Sequence, residues 1–271
     1  MSDQPIKMVA LDIDGTLLNP GVAVDSMPDA AMTDAVHQLK DAGIVVVLAS
    51  GRMYPGTASI AQHLGIHQPL ICQQGASVHE ADGRLRHGLN IDPQIALELM
   101  QYATDHQWPL AWFDSQTYLV TEHCQQAQFF ADVSGIRMQI DPEPHLSGIR
   151  ATGIDIISTA EDASRVHAEI ESRYGAALSL LDFPSVTAVH NAAASKGNAL
   201  HQLATELGIT AQQVLAVGDS VNDVSMLQWA GHSASPQHSD HYAKAATKQL
   251  LPGEGVSGVV EKLRWAATQA G

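Results

Sequence analysis

Two aspartates one residue apart, Asp12 and Asp14, close an apolar run and are followed at once by Gly15 and Thr16. On extended backbone, residues i and i+2 point to the same side. Two like charges held that close need compensation from a cation, a shared proton, or both. Read alone, the same residues also fit a strand that ends in a polar Asp-Gly turn. Further chemistry-bearing residues stand elsewhere: Ser50 in LASGR, Lys196 in SKGNAL, and Asp219 and Asp223 in GDSVND. Carboxylates, a lysine and a hydroxyl form a specific set. Oxygen ligands with spare water positions suit Mg²⁺ better than zinc. One carboxylate can accept a phosphoryl group while the metal and lysine neutralise its oxygens. A second can supply and remove protons as general acid and base.

For this set to act together, the fold must bring distant segments to one place. Ile6 to Leu11 and Ile44 to Ala49 read as short buried strands, and Val214 to Val217 as a third. Between them lie a helix carrying Met32, Val36 and Leu39 that ends at Gly43, and another from about Thr57 to Leu64. A helix opening at Lys196-Gly197 carries Leu200, Leu203 and Leu207, and Thr210 and Gln213 have capping-box spacing. This alternation predicts an α/β fold, a doubly wound parallel sheet. The carboxyl ends of adjacent strands in such a sheet line one crevice, where Asp12, Asp14, Ser50, Asp219 and Asp223 would converge.

The rhythm changes near residue 88. A hairpin is expected at Ser77 to Glu80 and Arg84 to Gly88, turning on Asp82-Gly83. Another follows at Leu110 to Phe113 and Tyr118 to Val120, then strands at Ile154 to Ser158, Leu178 to Phe183 and Val186 to His190. Helices are interspersed, which describes an α+β unit inserted into the parallel wind. We expect residues 1–84 and 191–271 to form the core and 85–190 the insert, with Ala192-Ala193-Ala194 as a hinge. Trp108 and Trp112 read as aromatic core of that insert.

Composition narrows the partners. The formal charge of -15 disfavours nucleic acid and anionic membranes, which need a basic surface. An anionic substrate must then be held by local cations. The longest apolar run, around Ile44 to Ala49, is far short of a membrane span, and no secretory signal is evident. Cys72 and Cys124 form no CxxC, so neither zinc nor a disulfide scaffold is expected. His232, His238 and His241 lack ligand spacing and read as scattered polar residues. A cytoplasmic protein is expected, as a monomer or small homo-oligomer.

DIDGTLL, LASGR, SKGNAL and GDSVND, in this order, resemble the four motifs of the haloacid dehalogenase superfamily. The likeness is greatest to its Cof-type phosphatases, whose large α+β (C2-type) cap sits between the second and third motifs. The matching core covers roughly residues 6 to 79 and 192 to 265. The resemblance implies Asp12 as nucleophile and Asp14 as general acid/base. It implies Ser50 and Lys196 as holders of the phosphoryl group, with Gly51, Arg52 and Asn222 on the substrate side. Mg²⁺ would bind Asp12, Asp219 and Asp14 through its main-chain carbonyl, with Asp223 beside them. Arg52 fits the family pattern as well as it fits a core–cap contact.

Two departures bear on specificity. Relatives commonly show Asn-Gly-Ala where this chain has Gln74-Gly75-Ala76, after Gln73. They also tend to carry Met-Gly-Asn-Ala where Ser235-Pro236-Gln237-His238 stands. The expected activity is Mg²⁺-dependent hydrolysis of small phosphorylated metabolites, with the leaving group read by the insert. A phosphotransferase or mutase on the same scaffold differs only in its acceptor and a drier closed state. A phospho-accepting receiver or sensor needs neither Asp14 nor a hundred-residue insert, and a P-loop kinase needs a GxxxxGK[ST] loop that is absent.

Overall fold

The computed structural model describes residues 4–271. The chain opens with β1 (Met8–Leu11), α1 (Ala30–Asp41), β2 (Val45–Leu48), α2 (Tyr54–His63) and β3 (Leu70–Cys72), then the hairpin β4 (Ser77–His79) and β5 (Leu85–Gly88). The middle comprises α3 (Pro93–Asp105), β6 (Leu110–Phe113), β7 (Tyr118–Val120), α4 (Gln125–Val133), β8 (Met138–Ile140), β9 (Gly153–Ile157), α5 (Ala163–Tyr174), β10 (Leu178–Phe183) and β11 (Val186–Asn191). It closes with α6 (Lys196–Glu206), β12 (Val214–Val217), α7 (Val224–Trp229), β13 (His232–Ser235), α8 (His241–Ala246), β14 (Gln249–Leu250) and α9 (Ser257–Ala267).

Strands from both ends of the chain form one parallel sheet in the order β14-β13-β12-β1-β2, and an Ala49–Ile71 bridge carries it on towards β3. β1 is an interior strand, paired with β12 and β2 and fully buried. The two-residue period of the strand splits its side chains between two layers. Val9 and Leu11 pack with α1, α2 and α9, whereas Met8 and Ala10 pack with α6 and α7. That burial on both faces explains why MVAL reads as a continuous apolar run. The α1 helix starts where Asp29 accepts a 2.9 Å bond from the Met32 amide, and the chain leaves it through Gly43 at φ +77°.

The middle strands form a separate mixed sheet, β10-β11-β9-β6-β7-β8, antiparallel except for the β7–β8 pair. One face, with Leu110, Trp112, Ile154, Ile156 and Val189, packs under α3 and α5. Trp112 is core, its Nε1 donating to the Ile149 carbonyl at 3.0 Å. The other face carries Phe113, Tyr118, Asp155, Ala188 and His190 and turns towards the parallel sheet. The doubly wound core therefore bears an inserted α+β cap.

Few bonds cross between the two units. Gln73 reaches the cap, donating from Nε2 to the Asp114 carbonyl at 2.5 Å and accepting from the Thr152 hydroxyl at 3.3 Å. The Gly56 amide donates to the Ser134 carbonyl at 2.8 Å, and the Met53 amide to the Ser134 hydroxyl at 3.1 Å. The Met53 side chain is buried among cap residues. A Cβ on Gly56 would lie 2.3 Å from the Val133 carbonyl oxygen, so only glycine lets α2 seat against the end of α4.

The sequence reading differs from the structure at particular elements. β8 was not anticipated: it is short, half-exposed to exposed, and parallel to its neighbour. The α2 helix starts at Tyr54 rather than Thr57 because Pro55, in the first turn, suits a helix start.

A candidate active site beneath the cap

The site is assembled at the carboxyl ends of β1 and β12. The Asp12 amide donates to the Val217 carbonyl at 3.0 Å, extending the β1–β12 ladder by one residue. Gly15 follows at φ +84°, where a Cβ would stand 2.2 Å from Asp219 Oδ2. The Asp-Gly turn thus has a second purpose, leaving room for a carboxylate 204 positions away in sequence. The Thr16 hydroxyl donates to Asp219 Oδ1 at 3.0 Å and fixes its orientation.

Lys196 enters from the first turn of α6, whose N-cap Ser195 accepts a 3.1 Å bond from the Asn198 amide. Its ammonium donates to Asp12 Oδ1 and Asp223 Oδ1, each at 2.6 Å. The other Asp223 oxygen accepts from the amides of Asp219 and Ser220 at 2.9 and 3.0 Å. Asp223 therefore orders the GDSVND turn as well as the lysine. Burial would depress the Lys196 ammonium, but the Asp12 and Asp223 charges more than offset that and hold it protonated.

The acids themselves are strained electrostatically. Burial, then the Asp223 charge, push the Asp12 carboxyl well above its usual range despite Lys196. The same causes push Asp219 up to about 7, against the opposing Thr16 bond. One lysine does not neutralise this group. Oxygens of Asp12, Asp219 and Asp223 all lie within 4.8 Å of one another. Clustered carboxylates with no nitrogen or sulfur donor form the set that a hard divalent cation prefers, and the uncompensated charge calls for one. The residues present fit such an ion.

The Asp14 carboxylate is outside this cluster. It is turned onto Arg52, whose Nε donates to Oδ2 at 2.8 Å and whose Nη2 donates to Oδ1 at 2.5 Å. Arg52 is buried and the Asp14 side chain is 53% exposed. Both belong to the core, so this guanidinium bonds within the core rather than across the seam. The metal role expected of Asp14 runs through its main-chain carbonyl, and its carboxylate is occupied by the arginine.

A cavity of about 790 Å³ lies between the core site and the open face of the cap sheet. Asp12, Asp14, Gly51, Arg52, Asp219 and Asn222 line it. Ser50, Lys196 and Asp223 stand behind that lining, fully buried. The Ser50 Oγ accepts a 3.1 Å bond from the Arg52 amide.

The sequence reading flagged Gln74 and His238 as departures bearing on specificity, and it passed over Asp155 and His190. Gln74 adopts φ +60° and accepts at Oε1 from Asn222 Nδ2 at 2.9 Å, joining the third strand end to the GDSVND turn over Gly51. His238 Nε2 donates to the Gly15 carbonyl at 2.7 Å, so one histidine read as scattered borders the site. Asp155 and His190 line the cavity from the cap. Their signal in the sequence was faint: a carboxylate between two isoleucines, and a histidine ending an apolar strand.

The family model described as haloacid dehalogenase-like hydrolase matches residues 9–263. The chain is 30% identical over 265 residues to the phosphatase YwpJ of Bacillus subtilis, covering 83% of this chain and 87% of that protein. It is 28% identical over 230 residues to the HMP-PP phosphatase of Cronobacter sakazakii, covering 83% of this chain and 82% of that one. In fold it is similar to a haloacid dehalogenase-like hydrolase from B. subtilis, with TM-score 0.83, 23% identity, and coverage of 96% and 99%.

Proposed function

This chain belongs to the haloacid dehalogenase-like hydrolases and is a phosphatase, and from that premise we propose that it hydrolyses small phosphorylated metabolites through a phosphoryl group carried on Asp12. The observation that carries this reading is the seat of Asp12: a buried carboxylate at a strand end, 2.6 Å from the Lys196 ammonium, facing the cavity beside Asp219.

Asp12 attacks phosphorus in line with the leaving oxygen, and Asp14, turned off Arg52 and protonated when substrate is bound, delivers a proton to that oxygen as the bond breaks. Asp14, now ionised, takes a proton from the water that attacks the phosphoryl group, and Asp12 is released with inorganic phosphate. Lys196 opposes the rise that burial and Asp223 impose on Asp12 and orients its carboxylate between turnovers. Asp12 and Asp219 would hold Mg²⁺, with Asp223 ordering the turn behind them. When bound, the ion neutralises charge developing on the phosphoryl oxygens. The cap closes the cavity and limits water to what hydrolysis requires. Its position favours small phosphoesters over phosphoproteins, which could not enter beneath it.

The test is phosphate release from a set of phosphorylated metabolites with Mg²⁺, using wild-type and Asp12→Asn proteins. Turnover by the wild type and none by the variant is expected. Steady-state hydrolysis by a clean Asp12→Asn protein overturns the assignment.

A further inference from the structure

The cap contributes a second acidic group to the cavity, distinct from the core cluster. Asp155 stands on β9, the third strand of the cap sheet, and its side chain is 7% exposed. Its neighbours across the sheet are Ala111 on β6 and Ala188 on β11, with Gly153 two residues before it on the same face. The alanines on the two neighbouring strands leave space beside the carboxylate, Ile157 follows it on the same face, Phe113 and His190 cover Gly153, and Asp155 lines the cavity. Among the described residues, Asp155 has neither a hydrogen-bond nor an ion-pair partner. Burying a carboxylate without a partner is costly, and native proteins rarely tolerate it without a use.

Two more orphaned groups stand beside it. The Tyr118 hydroxyl is buried and has no partner among the described residues. Its proton is held by burial and by the Asp155 charge. His190 bonds the Thr152 carbonyl through Nδ1 at 3.0 Å, which leaves Nε2 as a bare acceptor, and burial keeps the ring neutral by lowering it to about 4. The subsite is therefore dominated by acceptors, which call for donors from a ligand. Its walls are aromatic: the Phe113, Tyr118 and Phe130 rings stand 5.1 to 5.6 Å apart, and the Phe113 ring meets His190 edge-on. Four carboxylates line the cavity, from Asp12, Asp14, Asp155 and Asp219. The one guanidinium that lines it, Arg52, is engaged by Asp14.

We infer that the far end of the cavity is a subsite for a cationic nitrogen, so that the preferred substrate is a phosphomonoester whose leaving group carries a protonated amine, received by Asp155 with Tyr118 and His190 and flanked by aromatic faces. An ammonium would satisfy Asp155, donate to His190 Nε2, and lie against ring faces that attract cations. A second anionic group on the substrate would face Asp155 across a low-dielectric space and be excluded. The inference rests on the phosphatase reading, since it names which phosphoester that site takes.

The test compares kcat/KM for matched esters in Mg²⁺: phosphoethanolamine against 2-hydroxyethyl phosphate and 2-phosphoglycolate, and glucosamine 6-phosphate against glucose 6-phosphate. p-Nitrophenyl phosphate serves as a reference without the amine. The wild type should favour the amine within each pair by about tenfold or more, the scale of a charge-assisted bond. Asp155→Asn, close to isosteric, should reduce that preference to about one, and p-nitrophenyl phosphate gives each protein's rate on an ester without the amine. Circular dichroism of the variant checks its fold, and Asp155→Ser supplies a second variant in the same space. Equal rates within the pairs, a preference for the hydroxyl, or an amine preference that survives both variants overturns the subsite while phosphatase activity stands. Absence of hydrolysis of every ester, the reference included, overturns the phosphatase reading and the subsite with it.

Discussion

Arg52 grips both oxygens of Asp14, at 2.8 and 2.5 Å, and so keeps that carboxylate apart from the cluster that Asp12, its neighbour in the motif, forms with Asp219 and Asp223. The two aspartates of DIDGT share a turn but have different surroundings, one buried with a lysine, the other half-exposed on an arginine. Different surroundings are what allow two carboxylates to take different roles. Asp14→Asn should keep the Asp12 nucleophile and lose proton transfer, lowering kcat about 10²–10⁴-fold with phosphorylated protein visible by mass spectrometry. Arg52→Lys cannot make the two-pronged contact and should lower kcat more than it raises KM. Wild-type kcat in either variant would remove Asp14 from the mechanism.

Lys196 should matter for folding as well as turnover. Lys196→Met leaves Asp12 and Asp223 buried with no cation between them, a change that costs about 3–5 kcal/mol when one partner of a buried pair is removed. Urea denaturation without divalent metal should show the loss. An unchanged midpoint would mean that water, not the lysine, compensates these charges.

A divalent cation should bind in the absence of substrate. At a concentration near 100 times its Kd, Mg²⁺ should stabilise the fold by about 2.7 kcal/mol through linkage, and Asp219→Ala should abolish that gain. Ca²⁺, larger and looser in coordination, should bind and inhibit. Thermal unfolding with and without chelator measures binding independently of catalysis.

Stability should respond to pH through the cap. Burial pushes the Asp155 carboxyl up to about 7. From its unfolded value near 3.9 up to 7, the folded protein holds a proton that the unfolded chain has released. This contribution is full below about 4 and is lost as pH rises, over a range of a few kcal/mol. Buried His190, lowered to about 4, has the opposite slope, its stability lost as pH falls below about 6.5. Asp155→Asn should therefore be more stable than wild type at pH 8, with the gap closing by pH 4. A gap that does not change with pH would contradict the burial of that charge.

The alternation of strands and helices, the three polar strand ends and the helix start at Lys196 were legible because they follow from local pattern. Asp12, Lys196, Asp219 and Asp223 meet because parallel winding brings their strand and helix ends together. Asp155 was not legible. It sits within the strand GIDII, and nothing local says that Ala111 and Ala188 on neighbouring strands leave it uncovered. The Gln73 bridge escaped for a related reason: its partners, Asp114 and Thr152, come from the other unit, and its φ of +49° is uncommon for a side-chain-bearing residue.

The seam at Gly56, Met53 and Ser134 gives the cap a clock. Opening it breaks two amide-donated bonds to Ser134 and draws the Met53 side chain out of the cap cluster. Where product leaves by that opening, release rather than bond breaking at Asp12 sets turnover. Turnover at saturating substrate should then slow with solvent viscosity. A Gly56→Ala protein, whose added methyl meets the Val133 carbonyl, should release phosphate faster while binding substrate less tightly.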